Sequence, residues 1–259
     1  MGYNGRMKLV VGNWKMYPKS LNEAKRIVAS VKKGAGKHAH VKVVICPPAP
    51  FIAPIVALTN KTTIAVGAQN AFVLDEGAYT GEISPVAVKS VGATHVILGH
   101  SERRALGESD ALIAQKVARA VRSKLKVILC VGEHARDEHG EYFTEVGKEL
   151  RASLAGFPKS ELGRLVIAYE PIWAIGAKAL RAAEPKDFRE MSIFIRRNLV
   201  DRFGKKAGFV VPILYGGSVD DKNAPGFLHE GGADGFLVGR ASLDPKKFSK
   251  IIHAAGGAR

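Results

Sequence analysis

The sequence predicts an α/β protein with a single-domain (β/α)8 barrel fold, and three observations support this prediction. Eight short runs rich in apolar and β-branched residues recur along the 259 residues. Longer segments with helical periodicity lie between them, which is typical of a parallel sheet with right-handed crossovers. Several runs, such as VVIC and VILC, are wholly apolar and therefore indicate strands buried on both faces. Eight such units favour a closed barrel over an open sheet.

The apolar runs define the predicted strands. They are Lys8–Gly12, Val41–Cys46, Thr63–Ala68, Thr94–Gly99, Lys126–Gly132, Leu165–Glu170, Val210–Tyr215 and Gly235–Gly239. No linker, low-complexity tract or strict repeat interrupts this series. We therefore expect one domain over residues 1–259.

The segments between the strands carry apolar residues on one helical face. In the first segment, Glu23 stands three residues after Ser20, which is the pattern of a capping box. The predicted helical segments are Ser20–Lys33, Ser109–Leu125, Tyr142–Ala155, Pro185–Phe203, Asn223–Glu230 and Pro245–Ala255.

The composition excludes several classes of protein. Hydrophobic residues make up 46% and charged residues 24% of the chain, an ordinary globular balance that excludes wholesale disorder. The most apolar stretch, residues 43–58, holds four prolines and is too short and too broken to span a membrane. The first residues lack a signal-peptide core, and Arg6 breaks the myristoylation pattern. We therefore expect a cytoplasmic location.

Cysteine and histidine usage gives no sign of a disulfide framework or a metal site. Cys46 and Cys130 lie in apolar runs, which indicates buried reduced thiols rather than nucleophiles. His134 and His139 have no third ligand at a metal-like spacing. The chain also lacks a Walker A motif and a dinucleotide fingerprint. We therefore expect no metal and no nucleotide cofactor.

The chain is strongly basic, with 39 Lys and Arg residues against 24 Asp and Glu residues and a net charge of +15. Such a charge predicts attraction to anions in general. Nucleic acid, an acidic membrane surface and a phosphorylated metabolite all satisfy it, and so does a basic solvated surface. The basic residues form short scattered clusters, such as Lys32-Lys33, Lys205-Lys206 and Lys246-Lys247, without a basic tail or an aromatic-interleaved motif.

Polar residues collect directly after the predicted strands, where a barrel of this kind carries its chemistry. They are Asn13 and Lys15 after the first strand, His100 after the fourth, Glu170 at the end of the sixth, Ser218 after the seventh, and Gly239 and Arg240 at the end of the eighth. Because the carboxyl ends of the strands meet at one mouth, we expect these residues to lie together.

Each of these residues also has a purely structural interpretation. Lys15 fits a solvated lysine, His100 a structural histidine, and Glu170 a carboxylate that pairs with an arginine or caps backbone amides. The glycines after the last two strands fit tight turns. Their shared position after separate strands favours the functional interpretation.

Ordered motifs along nearly the whole chain resemble those of the triosephosphate isomerase family. The motifs are GNWKM (12–16), GAQN (67–70), GAYTGEIS (77–84), ILGHSERR (97–104), CVGE (130–133), AYEPIWAIG (168–176), LYGGSV (214–219) and DGFLVGRASL (234–243). The resemblance implies a (β/α)8 barrel that forms a homodimer. It also implies interconversion of dihydroxyacetone phosphate and D-glyceraldehyde 3-phosphate through an enediolate, in glycolysis and gluconeogenesis, with neither metal nor organic cofactor.

The resemblance also implies roles for individual residues. Glu170 would be the base that removes a proton from carbon, and His100 would polarise the carbonyl and shuttle protons between the two oxygens. Lys15 and Asn13 would bind the substrate and stabilise the developing oxyanion. The backbone N–H groups that would hold the phosphate belong to Gly176, Ser218, Gly239 and Arg240.

Two segments bear on assembly and on closure of the site. In the loop Gly77–Ser84, the resemblance implies that Thr80 reaches the active site of a neighbouring subunit, whereas the residues alone fit an ordinary exposed loop. The segment Pro171–Ala179 resembles a mobile lid, but Ala177–Pro185 departs from the family pattern. Arg240 also departs from it, because a glycine is common there.

Two other functions stay open at this point. One is another phosphate-binding barrel enzyme, such as a sugar-phosphate epimerase, and the other is a basic nucleic-acid-binding protein. The joint occurrence of Asn13, Lys15, His100 and Glu170 favours the isomerase. Since no recognisable nucleic-acid motif or membrane segment is present, we expect neither partner.

Overall fold

Parallel strands alternate with helices and close into a barrel in the computed structural model, which describes residues 7–36, 38–176, 179 and 181–258. In the described residues the strands are β1 (Lys8–Asn13), β2 (Val41–Cys46), β3 (Ile64–Ala68), β4 (His95–Leu98), β5 (Lys126–Val131), β6 (Leu165–Tyr169), β7 (Ile213–Tyr215) and β8 (Gly235–Val238). Each strand pairs with its neighbours in chain order, and β8 pairs with β1. This confirms the predicted fold class. The single domain over residues 1–259 stays a prediction.

Helices surround the barrel, and the six predicted helical segments are each confirmed to within a few residues, whereas several shorter helices were not predicted. The α-helices are α1 (Leu21–Ala35), α2 (Ile52–Thr59), α3 (Pro85–Ser90), α4 (Ser101–Ala105), α5 (Asp110–Arg122), α6 (Glu141–Ser153), α7 (Pro185–Phe203), α8 (Lys205–Val210), α9 (Ala224–His229) and α10 (Pro245–Gly257). Ser20 caps α1 as its spacing predicts, because its side-chain oxygen accepts the Glu23 N–H at 3.3 Å.

The predicted seventh strand was wrong at its beginning. Val210 is the last residue of α8, and the strand starts only at Ile213. Between them, the Val211 N–H donates to the Ala207 carbonyl and continues the helical turn. Pro212 has no N–H to donate to a ladder. The apolar run VVPILY therefore combines a helix end with a strand, two structures that apolarity alone does not separate.

The strand residues alternate between two apolar clusters. Leu9 and Val11 of β1 belong to the cluster in the barrel interior, whereas Val10 belongs to the larger cluster between strands and helices. Since both faces of each strand are covered, the strands carry continuous apolar runs. Each fully buried aliphatic side chain of this kind contributes about 1.5–3 kcal/mol through removal from water.

None of the helices in the described residues combines the length and apolarity that crossing a membrane requires.

Candidate active site

A cavity of about 520 Å³ opens at the mouth of the barrel, defined here as the C-terminal ends of the strands. Its lining includes all the residues singled out at the strand ends: Asn13, Lys15, His100, Glu170, Gly176, Ser218, Gly239 and Arg240. Barrel closure explains this meeting, because residues up to 227 positions apart follow strands that point the same way.

The turn after β1 holds Asn13 and Lys15 in a fixed relation. Asn13 is buried, and its side-chain oxygen accepts the Lys15 N–H at 3.1 Å. Lys15 has a φ of 53°, in the left-handed region that residues other than glycine rarely adopt. Such a conformation costs about 1–3 kcal/mol and persists only where its surroundings enforce it.

Gln69 stabilises this strained turn through two hydrogen bonds. Its amide nitrogen donates to the carbonyl oxygens of both Lys15 and Cys46, each at 2.8 Å. Gln69 was not predicted from the sequence as a site residue. Its position directly after β3, within GAQN, is the signal that could have indicated it.

The Lys15 ammonium group points into the cavity region beside α4. Its Nζ donates to Glu102 Oε1 at 2.6 Å, with 33% of the lysine side chain and 58% of the glutamate side chain exposed. An ion pair this exposed adds little stability. Its effect is to hold a positive charge at the mouth without burying it.

His100 is the N-cap residue of α4, and this position defines its tautomer. The Glu102 N–H donates to His100 Nδ1 at 3.1 Å, so Nδ1 must carry a lone pair. In the neutral ring the proton therefore resides on Nε2. The ring thus presents an N–H donor at Nε2 to the cavity.

Glu170 follows β6 and is only 2% exposed. One carboxylate oxygen accepts the Ser101 N–H at 2.9 Å, and the other lies 3.0 Å from His100 Nε2. Gly132 permits this placement, because a Cβ on Gly132 would overlap the Glu170 carbonyl group. The carboxylate is therefore fixed beside the imidazole by two donors.

The glycine turns after β7 and β8 approach the two charged groups of the cavity. An added Cβ on Gly216 would lie 3.1 Å from Glu170 Cγ, and one on Gly239 would lie 3.6 Å from Lys15 Cε. Arg240 begins a 3-10 helix, Arg240–Leu243. The Ser218 hydroxyl donates to the Ala174 carbonyl at 3.1 Å. The turns thus leave space beside the Glu170 carboxylate and the lysine for a small ligand.

The segment that follows Glu170 is anchored through buried Glu133. Glu133 Oε1 accepts from the Tyr169 hydroxyl at 2.6 Å and from Trp173 Nε1 at 2.8 Å. Burial raises the pKa of the Glu133 carboxyl, and these hydrogen bonds oppose the rise. Glu133 was not singled out from the sequence, although it ends the CVGE motif. Within Ala177–Pro185, the part of the predicted lid region that departs from the family pattern, residues 177, 178 and 180 lie outside the described residues.

The cysteines and His134, which were considered from the sequence as possible nucleophiles or metal ligands, have other surroundings. Burial raises the pKa of both thiols, Cys46 and Cys130, and the nearby Glu170 carboxylate adds to the effect on Cys130. His134 pairs instead with Glu145, at 2.6 Å. Within residues 7–36, 38–176, 179 and 181–258, no three His, Cys, Asp or Glu side chains are arranged to hold a metal ion.

A second cavity, of about 390 Å³, adjoins the first at the loop Gly77–Ser84. It shares Asn13, Lys15, His100 and Glu102 with the first cavity. Its rim carries exposed apolar side chains, with Met16 91% and Leu106 77% exposed. Thr80, in the loop itself, is exposed.

Comparison with known proteins gives a consistent result over almost the full length. The family model described as Triosephosphate isomerase matches residues 8–255. A triosephosphate isomerase from Roseiflexus sp. (strain RS-1) is 43% identical over 250 residues, which are 96% of this chain and 97% of that protein. One from Caldanaerobacter subterraneus subsp. tengcongensis is 40% identical over 250 residues, with 96% and 99% covered.

Proposed function

The chain belongs to the triosephosphate isomerase family, and on that premise we propose that it interconverts dihydroxyacetone phosphate and D-glyceraldehyde 3-phosphate in glycolysis and gluconeogenesis. One observation carries the proposal for the site: a buried carboxylate, an imidazole whose Nε2 faces that carboxylate and an ammonium group line one cavity at the barrel mouth. The family match also decides against a sugar-phosphate epimerase.

Glu170 acts as the base in this proposal. A C–H next to a carbonyl is a weak acid, so its proton must be removed by a well-placed base while the new oxyanion is stabilised. The Glu170 carboxylate is buried, and the Ser101 N–H and His100 Nε2 hold it in one position. A positioned general base contributes about 10²–10⁴ to the rate.

His100 acts as the donor to the substrate oxygens. Its Nδ1 is occupied by the Glu102 N–H, so only Nε2 is available to the substrate. From that atom it donates to the carbonyl oxygen, and as the enediolate forms it moves a proton between the two neighbouring oxygens. Its contact with Glu170 supports this role, because base and donor then face the same two carbons.

Lys15 and Asn13 complete the oxyanion environment. The lysine supplies a fixed positive charge, and the asparagine amide supplies a neutral donor from a buried position. Loss of one such donor typically costs about 10²–10³ in turnover. The strained backbone of Lys15 supports a functional role for this residue, because two hydrogen bonds from Gln69 stabilise the conformation.

The phosphate group is held by backbone N–H groups of Gly176, Ser218, Gly239 and Arg240. Glycine turns let the backbone approach an anion closely, and this barrel type commonly binds phosphate after its last two strands. The closeness of Gly239 to Lys15 supports this proposal, because a cation then lies next to the glycine turn.

The function is tested by incubating the chain with D-glyceraldehyde 3-phosphate in deuterated water. Proton removal through an enediolate exchanges the carbon-bound hydrogen with solvent, so we expect dihydroxyacetone phosphate that carries deuterium on C1. A coupled assay measures the rate, and NMR locates the label. An epimerase would return an inverted substrate without ketose formation, and absence of turnover would contradict the proposal.

The chain forms a homodimer through Gly77–Ser84 in this proposal, with Thr80 entering the partner's second cavity. The exposed apolar rim at Met16 and Leu106 supports this, because an apolar patch next to a site marks a contact surface. We expect a dimer on analytical ultracentrifugation and dissociation in Thr80→Glu. The control, Thr144→Glu, alters an exposed threonine of α6 and should remain dimeric. A fully active wild-type monomer would refute the interface.

A cytoplasmic location completes the proposal. Its support is chemical, since the buried thiols of Cys46 and Cys130 suit a reducing compartment. Cell fractionation with a compartment marker tests it, and recovery in an oxidising compartment would contradict it.

A further inference from the structure

The positive charge of the chain is concentrated in two stretches of sequence. Residues 1–74 contain eleven Lys and Arg residues and one acidic residue, and residues 240–259 contain five and one. The stretch 75–239 is nearly neutral, with 23 basic and 22 acidic residues. The two ends of the chain thus contribute +10 and +4 of the net charge of +15.

Closure of the barrel brings these two ends together. β8 pairs with β1, and α10 packs against α1. The contact between the helices is close, because an added Cβ on Gly34 of α1 would lie 3.0 Å from the Ser249 hydroxyl of α10. Exposed cations more than 200 residues apart in sequence therefore lie on two adjacent helices.

We call the exposed cations of these two helices the basic face. It consists of Lys25, Arg26, Lys32, Lys33, Lys246, Lys247 and Lys250. Lys32 Nζ donates to the Leu58 carbonyl at 3.1 Å, and Lys250 pairs with Asp221 at 2.8 Å. The other five make no ion pair with the described part of the chain. None of the seven lines the substrate cavity.

The chemistry of the basic face selects one class of partner. Among the described residues, none of the large exposed apolar side chains belongs to α1 or α10. The face therefore lacks the apolar residues that enter a bilayer or form the centre of a stable protein interface. Among the described residues, neither helix exposes a Phe, Tyr or Trp side chain on which single-stranded bases could stack.

A partner that presents closely spaced phosphates matches the cations of the basic face. With 15 residues, α1 is about 22 Å long, and the cations of α10 lie near the start of a helix packed against it. A nucleic-acid duplex presents about one negative charge per 1.7 Å of its axis, so several phosphates fall within this length. Contacts to phosphates require neither an aromatic side chain nor a sequence-reading motif.

We propose that the basic face docks the backbone of double-stranded nucleic acid, without sequence preference and apart from the substrate cavity. Counterion release drives the binding, so its strength falls with salt. The proposal is independent of the isomerase activity and does not depend on any residue of the cavity.

Fluorescence anisotropy of a labelled 24-base-pair DNA duplex tests the proposal over 50–200 mM salt. If each of the five unpaired cations neutralises one phosphate, the slope of log K against log salt is about −4.5. In Lys25→Ala/Lys33→Ala/Lys246→Ala/Lys247→Ala we expect a slope smaller in magnitude by about 3.6 and binding weaker by more than about 100-fold at 100 mM salt.

The matched control is Lys205→Ala/Lys206→Ala, which removes two adjacent exposed lysines at the start of α8, in the neutral stretch. We expect its slope to equal that of the wild type. Isomerase turnover at 200 mM salt verifies that each variant is folded.

Four results would overturn the proposal. They are an absence of duplex binding at 50 mM salt, an equal loss of duplex affinity in the control, unchanged binding in the fourfold variant, and tighter binding to phosphatidylserine vesicles than to the duplex. A fourfold variant that loses kcat/KM at low salt, when the wild type binds no duplex, would show instead that this charge attracts the substrate.

Discussion

Glu149 offers a quantitative test of how burial affects this fold. It lies on α6, and its Oε2 accepts the N–H of Gly132, the residue whose missing side chain lets Glu170 approach. Burial raises the pKa of Glu149 from 4.5 to about 7, although Arg104 at 3.4 Å and the Gly132 N–H both oppose the rise. The carboxyl therefore binds its proton more tightly in the folded chain than in the unfolded chain.

The sign of the effect follows from proton binding. Below pH 4.5 the group is protonated in both states and stability does not depend on its titration. Between pH 4.5 and 7 the unfolded chain loses the proton first, so the free energy of unfolding falls as pH rises. Because one pKa unit corresponds to about 1.4 kcal/mol, the shift amounts to about 3 kcal/mol above pH 7.

Glu149→Gln removes this titration and keeps an oxygen for the Gly132 N–H. We expect the variant to exceed the free energy of unfolding of the wild type by less than about 1 kcal/mol at pH 5 and by about 3 kcal/mol at pH 8. Urea unfolding at fixed protein concentration measures this difference, since assembly makes stability concentration-dependent.

The control for this prediction is Glu141→Gln, which removes an exposed carboxylate from the same helix. Its stability difference from the wild type should change far less between the two pH values. If Glu149→Gln shows a difference independent of pH, or becomes less stable relative to the wild type as pH rises, burial of this carboxyl does not control its titration.

Three further predictions concern the cavity. Glu170→Gln should lower kcat by at least about 10²-fold, while competitive inhibition by inorganic phosphate persists; near-full turnover would refute the base. Lys15→Ala should lower kcat/KM by at least about 10²-fold and weaken that inhibition, and unchanged kinetics would remove the lysine from the site. Gly132→Ala should reduce kcat through the displaced Glu170 and lower the melting temperature, because the added Cβ overlaps a carbonyl group; a wild-type rate would contradict this placement.

The sequence was sufficient to predict the strands, the long helices and the residues at the strand ends. Strands covered on both faces must be apolar throughout, so they are visible as runs. Long helices such as α7 are visible because periodicity accumulates over several turns. Helices of eight residues or fewer, such as α2 and α4, accumulate too little of it, and the end of α8 was mistaken for a strand.

The supporting contacts of the site could not be predicted from the sequence. Gln69 reaches Lys15 across 54 residues, and Trp173 reaches Glu133 across 40 residues. Such contacts depend on the distances between neighbouring strands, which no local pattern records. The meeting of the strand-end residues could be predicted, because the barrel topology alone brings them to one mouth.

The same reasoning accounts for the basic face. Its clusters are separate in sequence, which is why no nucleic-acid partner was expected from motifs. Pairing of β8 with β1 places Gly239 beside Lys15 at the mouth and places α10 beside α1 on the outer surface. The proposed phosphate site of the cavity and the basic face thus arise from one topological feature, yet they occupy strand ends and helix surfaces respectively. Substitutions that remove one of them should therefore leave the other intact.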